Sequence, residues 1–240
     1  MQSAWILYLL INKMEKKILS NIELTSIIVV VIVVGAFIFL INNPGEKSVV
    51  ELEGVEVGEY EGNDLSSIND FRENSIKGPQ YINIDDYKLR VTGLIEEEAS
   101  YTYDEVIGHQ SYSKVVRLDC VEGWSVDILW EGVILRDLLK ESKSNSEANT
   151  VIFYAYDGYT TSFPIEYIMD SDILLAYKMN GLMIVPERGF PFQLVAEDKW
   201  GYKWIKWITE IEFSDDESYE GFWEQRGYSN TGNLGEGYYN

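Results

Sequence analysis

Positive charge is scarce in this 240-residue chain, where 19 Lys and Arg face 40 Asp and Glu for a formal charge of −21. Phosphate recognition needs clustered cations, so this composition excludes nucleic acid as a partner. There is one Cys, which excludes a disulfide within the chain. With only one His beside it, the thiolate and imidazole sets of structural zinc sites are missing as well. No internal repeat is present. Aromatic side chains, in contrast, are plentiful: 7 Trp, 17 Tyr and 9 Phe supply the apolar area of one folded domain and exclude a disordered chain.

The N-terminal quarter differs from the rest. From Thr25 to Ile41 no residue is charged, a length close to the roughly 20 residues that cross a bilayer core. The run ends in Asn42-Asn43-Pro44 rather than in the small residues of a cleavage site, so it is expected to stay attached as an anchor. Lys13, Lys16 and Lys17 precede it, and beyond it Lys47 is alone until Arg72, which orients the N-terminus to the cytoplasm and the body outside. The resulting division is a cytoplasmic segment over 1–24, a transmembrane helix over 25–41, an acidic tether over 42–64 and a body over 65–240. A shorter apolar run, Ala4 to Ile11, cannot span; it reads as an interfacial segment or as the product of an upstream start, with Met14 as the true first residue.

The body mixes strand and helix patterns without a regular β-α-β rhythm, so an α+β fold is expected. Tyr87 to Val91 alternates at period two, and Thr102-Tyr103-Asp104-Glu105 has the spacing of a capping box. Ser113 to Cys120 predicts a strand with Val116, Leu118 and Cys120 on one face. A short helix is predicted over Leu135 to Ser142, and another from Pro164 to about Asp170. Strands are predicted over Val151 to Tyr156, Ile173 to Met179, Phe192 to Ala196 and Ile205 to Phe213, with a tight turn at Asn180-Gly181. His109 follows a helix end and reads as a surface residue.

A lone Cys is commonly a small buried hydrophobe. Cys120, however, ends a strand, precedes the Gly-containing loop Val121-Glu122-Gly123-Trp124, and belongs to a body placed outside the cytoplasm, where an idle thiol is an oxidation liability. A metal-ligating thiolate is the competing reading.

The segment Val116-Arg117-Leu118-Asp119-Cys120-Val121-Glu122-Gly123-Trp124-Ser125, with Trp130-Glu131-Gly132-Val133 and Leu135-Arg136-Asp137-Leu138-Leu139 after it, resembles the molybdopterin-binding domain of the sulfite oxidase superfamily. Asp157-Gly158-Tyr159, Leu175 to Gly181, Arg188-Gly189-Phe190-Pro191, Gly201 to Trp207 and Gly221-Phe222-Trp223 continue the resemblance in the family's order. It implies the family's α+β fold with a mixed β-sheet. It also implies one molybdenum or tungsten held by the dithiolene of a molybdopterin and by the sulfur of Cys120. Lys203 and Lys206 fall where the pterin phosphate would be held, and Arg188 stands where the family usually has His. Gln193 stands where the family usually has Arg, which removes one expected phosphate contact. Asn74 loosely matches an early cofactor-contacting loop and reads equally as a turn residue before Gly78-Pro79. Tyr159 is a candidate hydrogen-bond or proton donor at the metal, with simple packing as its alternative.

Sulfite-oxidising relatives carry cations just after the cysteine, whereas here that loop holds Glu122. A neutral small molecule, an S-oxide or N-oxide, therefore fits better than a dianion. The expected protein is a membrane-anchored oxidoreductase served by a membrane or soluble electron carrier. The alternatives are a cofactor-free binding or structural module on the same fold, or a sulfite-oxidising enzyme.

Overall fold

In the computed structural model, which describes residues 56–239, the alternating segments of the sequence assemble into two five-stranded sheets. The first is built on a long antiparallel hairpin of β5 (Ser111–Asp119) and β6 (Ser125–Ile134). On β5, Val116 and Leu118 are buried while Arg117 between them is exposed, the period-two pattern of a strand with one covered face. β6 pairs on its other side with β9 (Leu174–Met179), which also carries β10 (Leu182–Met183) and β11 (Gln193–Val195), all antiparallel. Asn180 and Gly181 join β9 to β10 with φ of +48° and +80°, the backbone that a two-residue hairpin turn requires.

The second sheet runs in the order β4 (Ala99–Tyr101), β3 (Leu89–Gly93), β12 (Ile208–Ser214), β7 (Thr150–Ala155), β8 (Thr160–Pro164). Its β3–β12 pair is parallel, with Val91 opposite Ile211, and its other pairs are antiparallel, so the sheet is mixed as expected. The helices are short. In α1 (Tyr103–Ile107) the capping box forms in full, Glu105 N donating to Thr102 Oγ1 at 3.2 Å and Thr102 N to Glu105 Oε2 at 2.7 Å. α2 (Leu135–Leu139) continues into a 3-10 turn over Lys140–Ser142, and α3 (Ile165–Asp170) starts one residue after Pro164. In the core, the fully buried Trp130 donates its indole N–H to Val116 O at 3.2 Å and packs 5.8 Å from Trp204.

Two segments differ from the sequence expectation. β12 begins only at Ile208, because residues 201–203 wind into a 3-10 turn and Trp207 takes a φ of +53°. A bulky side chain in that left-handed region is strained, and here it turns the chain across the edge of a cavity. The tether is also shorter than expected: β1 (Glu59–Tyr60) and β2 (Asn63–Asp64) form a small hairpin. Before it, Glu56 accepts hydrogen bonds from Ile68 N at 2.6 Å, Asn180 Nδ2 at 2.9 Å and Ser67 Oγ at 3.1 Å. A carboxylate meeting three donors fastens the chain to the body nine residues earlier than the composition suggested. The expected helix over 25–41 and its flank over 1–24 lie outside the described residues, among which no helix is long and apolar enough to cross a membrane.

Candidate functional site

β5 and β6 stay paired up to Asp119 and Ser125, which leaves residues 120–124 as the loop that closes the hairpin. Arg117 staples the base of that loop through Asp119 Oδ1 at 3.2 Å, Asp127 Oδ2 at 3.2 Å and Ser125 Oγ. Inside the loop Cys120 N donates to Trp124 O at 2.9 Å and Gly123 N to Cys120 O at 3.0 Å. Gly123 has a φ of +81°, which a side chain would resist. The turn sets Cys120, 9% exposed, in the wall of a cavity of about 330 Å³, a size usual for cofactor and small-molecule sites.

The loop of residues 71–76 forms a second wall. Asn74 Nδ2 approaches Cys120 Sγ at 3.7 Å, within reach of a hydrogen bond to sulfur. Ser75 Oγ beside it is buried, lines the same space and has no hydrogen-bond partner among the described residues. Such an atom is costly unless a ligand or water meets it. The loop is held by Arg188, which donates to Ile68 O at 3.3 Å and Phe71 O at 3.0 Å with its guanidinium 5.2 Å from the Phe71 ring. Burial pulls the Arg188 pKa down, opposed by the carboxylates of Glu187 and Glu73.

Lys206 reaches Glu73 Oε1 at 3.3 Å and Glu187 O at 3.5 Å and lies over the Trp207 ring at 4.2 Å. Burial lowers its pKa, and Glu73 opposes that shift. Burial pushes the Cys120 thiol up, and Glu122 adds to the rise through its charge. The Glu122 backbone N–H, the Asn74 amide and Arg72 act the other way. The Glu122 carboxylate itself accepts from Trp124 Nε1 at 3.3 Å.

The cavity thus brings together Asn74, Cys120, Glu122, Tyr159, Arg188 and Lys206 of the expected set, together with Gln193. Two expected roles need correction. Lys203 does not face the cavity: its side chain is fully buried and its Nζ donates to Glu224 Oε1 at 2.7 Å, Ser162 O at 2.7 Å and Asn230 O at 3.0 Å. All three ammonium protons are taken, so none is left for a phosphate. Tyr159 walls the cavity, but its hydroxyl donates to Tyr202 O at 2.5 Å, and burial raises its pKa well above that of a free phenol. Its proton is held by that carbonyl rather than offered to a ligand.

The sequence reading missed Arg72, Ser75, Trp207, Trp223 and Tyr228, all of which line the cavity. Arg72 carried a signal, standing two residues before Asn74 in a chain short of cations. Its side chain forms no ion pair among the described residues. The remaining wall mixes aromatic and aliphatic side chains with the carboxylates of Asp157 and Glu187, and in it Phe71 and Trp124 meet edge to face at 6.0 Å.

The oxidoreductase molybdopterin binding domain family matches residues 76–223. An uncharacterised oxidoreductase of Bacillus subtilis, YuiH, is 34% identical over 155 residues, covering 64% of this chain and 78% of its own. The catalytic subunit of the protein-methionine-sulfoxide reductase MsrP of Xanthomonas campestris is 30% identical over 172 residues, covering 62% of this chain and 53% of its own. The chain therefore matches about half the length of that reductase subunit. Among solved structures, the sulfane dehydrogenase SoxCD of Paracoccus pantotrophus shares the fold, with a TM-score of 0.57 at 23% identity over 64% of this chain and 43% of that one.

Proposed function

The chain belongs to the oxidoreductase molybdopterin-binding family, and we propose that within it this protein reduces a small neutral S-oxide or N-oxide at a metal centre held by Cys120. The residues present fit the cofactor. A soft thiol sits in the wall with an amide on its sulfur, Ser75 Oγ waits for a partner, and Arg188 and Lys206 are the cations available for a phosphate. Molybdenum or tungsten bound there by a molybdopterin would supply two-electron redox chemistry with transfer of an oxygen atom.

The chain's own residues account for substrate selection. Asn74 orients the sulfur ligand, as outer hydrogen bonds do for metal-binding side chains. Aromatic walls at Phe71, Trp124 and Trp223 receive the apolar flanks of a substrate, and Arg72 is placed to polarise an oxide oxygen. In the overall reaction the S–O or N–O bond breaks with two electrons from a carrier and two protons, giving the sulfide or amine and water. The observation that carries this reading is Glu122 beside the thiol, within residues 53–240, which bear the whole −21 because the four Lys and four Asp or Glu of residues 1–52 cancel. A dianion enters that field against repulsion, and a neutral oxide does not.

Arg72 supports a second reading, sulfite oxidation, because it lines the cavity and is a cation without a salt bridge among the described residues. The metal-loaded protein, given a reduced dye, should reduce dimethyl sulfoxide and oxidise sulfite poorly. Glu122→Gln should raise sulfite turnover more at low salt than at high salt. Efficient sulfite oxidation by the wild type at low ionic strength, lost in Arg72→Gln and with no oxide reduced, would establish the second reading instead.

The anchor belongs to the same proposal. The uncharged run over 25–41 behind three lysines argues for a body held outside the membrane, where it meets a membrane or soluble electron carrier. Protease added to intact cells should remove the body and leave the N-terminus protected. Recovery of a soluble form lacking residues 25–41 would count against it.

A further inference from the structure

The segment from Tyr219 to Tyr239 joins neither sheet, yet it brings Trp223 and Tyr228 to the cavity. Two lysines four residues apart hold it. Lys199, 7% exposed, donates to Thr231 O at 2.9 Å and to Asn233 Oδ1 at 2.5 Å. Lys203 donates to Asn230 O and to Glu224 Oε1, and also to Ser162 O on β8. Glu224 in turn accepts from Thr161 Oγ1 on β8 at 2.8 Å. The ion pair therefore joins the C-terminal strap to the second sheet, one residue away from Trp223.

We propose that Lys203 is a positioning residue: with Glu224 it latches the C-terminal strap so that Trp223 and Tyr228 stand in the wall of the Cys120 cavity.

Three observations lead there. First, the Lys203 and Glu224 side chains have no exposure at all, and charges so placed gain little in stability over an apolar pair of the same volume. What a buried ion pair adds is direction, since it closes at one relative position of its partners. Second, Glu224 Oε2 is buried without a hydrogen-bond partner among the described residues. A carboxylate left half satisfied in the interior is poor as a stabiliser, so stability alone does not account for the pair. Third, the strap lies against the lysine stem. Gly232, at φ +61°, has no room for a side chain, since a Cβ there would fall 2.5 Å from Lys203 Cγ. Beside the pair, Tyr202 Oη donates to Ser229 O at 2.7 Å and its ring meets that of Tyr228 at 5.1 Å, which carries the register of the latch to the cavity wall.

The catalytic part of the test rests on the proposed oxide reduction; the structural part does not. The full chain, loaded with its cofactor, is compared with the double variant Lys203→Met/Glu224→Leu, which removes both charges and strands neither. Hydrogen exchange followed by mass spectrometry should show amides of 221–230 exchanging about tenfold faster while β6 keeps its protection. With dimethyl sulfoxide as probe, KM should rise about tenfold and kcat fall by less than about threefold, because the binding wall loosens and the metal ligand does not move. Unchanged exchange in the strap would overturn the proposal. So would loss of β6 protection along with it, since the pair would then hold the whole fold, and so would a fall in kcat at constant KM, since Lys203 would then act in the chemistry. If the wild type reduces no oxide, the reading of the reaction fails, and the exchange result still decides the latch.

Discussion

Replacing Cys120 by Ala separates a metal ligand from a packing residue, because the two roles predict losses of different size. The thiol is 9% exposed and borders a cavity that is already open, so its removal deepens existing space rather than creating a closed void. That puts the packing loss near the low end of core truncations, about 1 kcal/mol. The contact from Asn74 Nδ2, at 3.7 Å to a weak acceptor, adds a few tenths of a kcal/mol at most by the usual scale of such bonds. A total of about 1 to 1.5 kcal/mol corresponds to a fall in Tm of roughly 2–6 °C for a domain of this length. Measured on cofactor-free protein, the melting curve of Cys120→Ala should therefore stay close to that of the wild type. Measured on loaded protein, redox turnover should fall to background, and elemental analysis should show the metal content reduced. Full activity in a metal-loaded Cys120→Ala protein would refute the ligand assignment. A Tm lowered by more than about 10 °C would show instead that the thiol is structural.

Asn74→Ala, on an exposed loop, should leave the urea midpoint almost unchanged while lowering turnover by about 10- to 100-fold, the usual cost of removing an outer hydrogen bond to a ligand; turnover at the wild-type rate would remove Asn74 from the site. Glu56→Ala strands the Ile68 N–H and removes one of the two Asn180 Nδ2 hydrogen bonds, the one to Ser66 O remaining, and should cost about 1–3 kcal/mol in urea denaturation; a loss under about 0.5 kcal/mol would show that the N-terminal clamp is loose. The Glu105 carboxyl is held below its ordinary value of 4.5 by the hydrogen bonds from Thr102, so its contribution to stability is present above that value and fades as pH falls through the lower, folded pKa. Glu105→Gln should accordingly flatten the acid side of the stability curve below about pH 5 and leave the neutral side parallel to the wild type; an unchanged acid slope would reject the assignment.

Much of the fold was legible because it is written locally. The capping box at Thr102, the Asn180-Gly181 turn and the strand leading to Cys120 each depend on residues a few positions apart, and each forms as read. The site was legible where a residue type was rare, as for the single thiol, and where several blocks occurred in one family's order. Lys203 and Lys206 show the limit. Three positions apart, with Lys203 ending a 3-10 turn over 201–203 and Lys206 beyond it outside any strand, they share no fixed direction, and one meets Glu224 while the other lines the cavity. Tyr159 lines the cavity, but its hydrogen bond to the Tyr202 carbonyl is a contact across 43 positions that no local pattern encodes. The same holds for Trp223 and Tyr228, in a segment bonded by lysines twenty or more positions before them.

The loop that presents Cys120 is closed by a matched pair of residues, Asp119 and Ser125, and tied at its base by Arg117. A segment anchored in that way is an exchangeable cassette. Its exposed position 122 can be exchanged while the ladder, the staple and the thiol keep their places, whereas Val121 and Trp124 pack against the core and are exchanged at a cost. Gly123 must be kept, because its backbone conformation makes the bend. An exchange at position 122 leaves the strand pairing on either side untouched, which makes this hairpin the natural place to begin directed evolution of the protein.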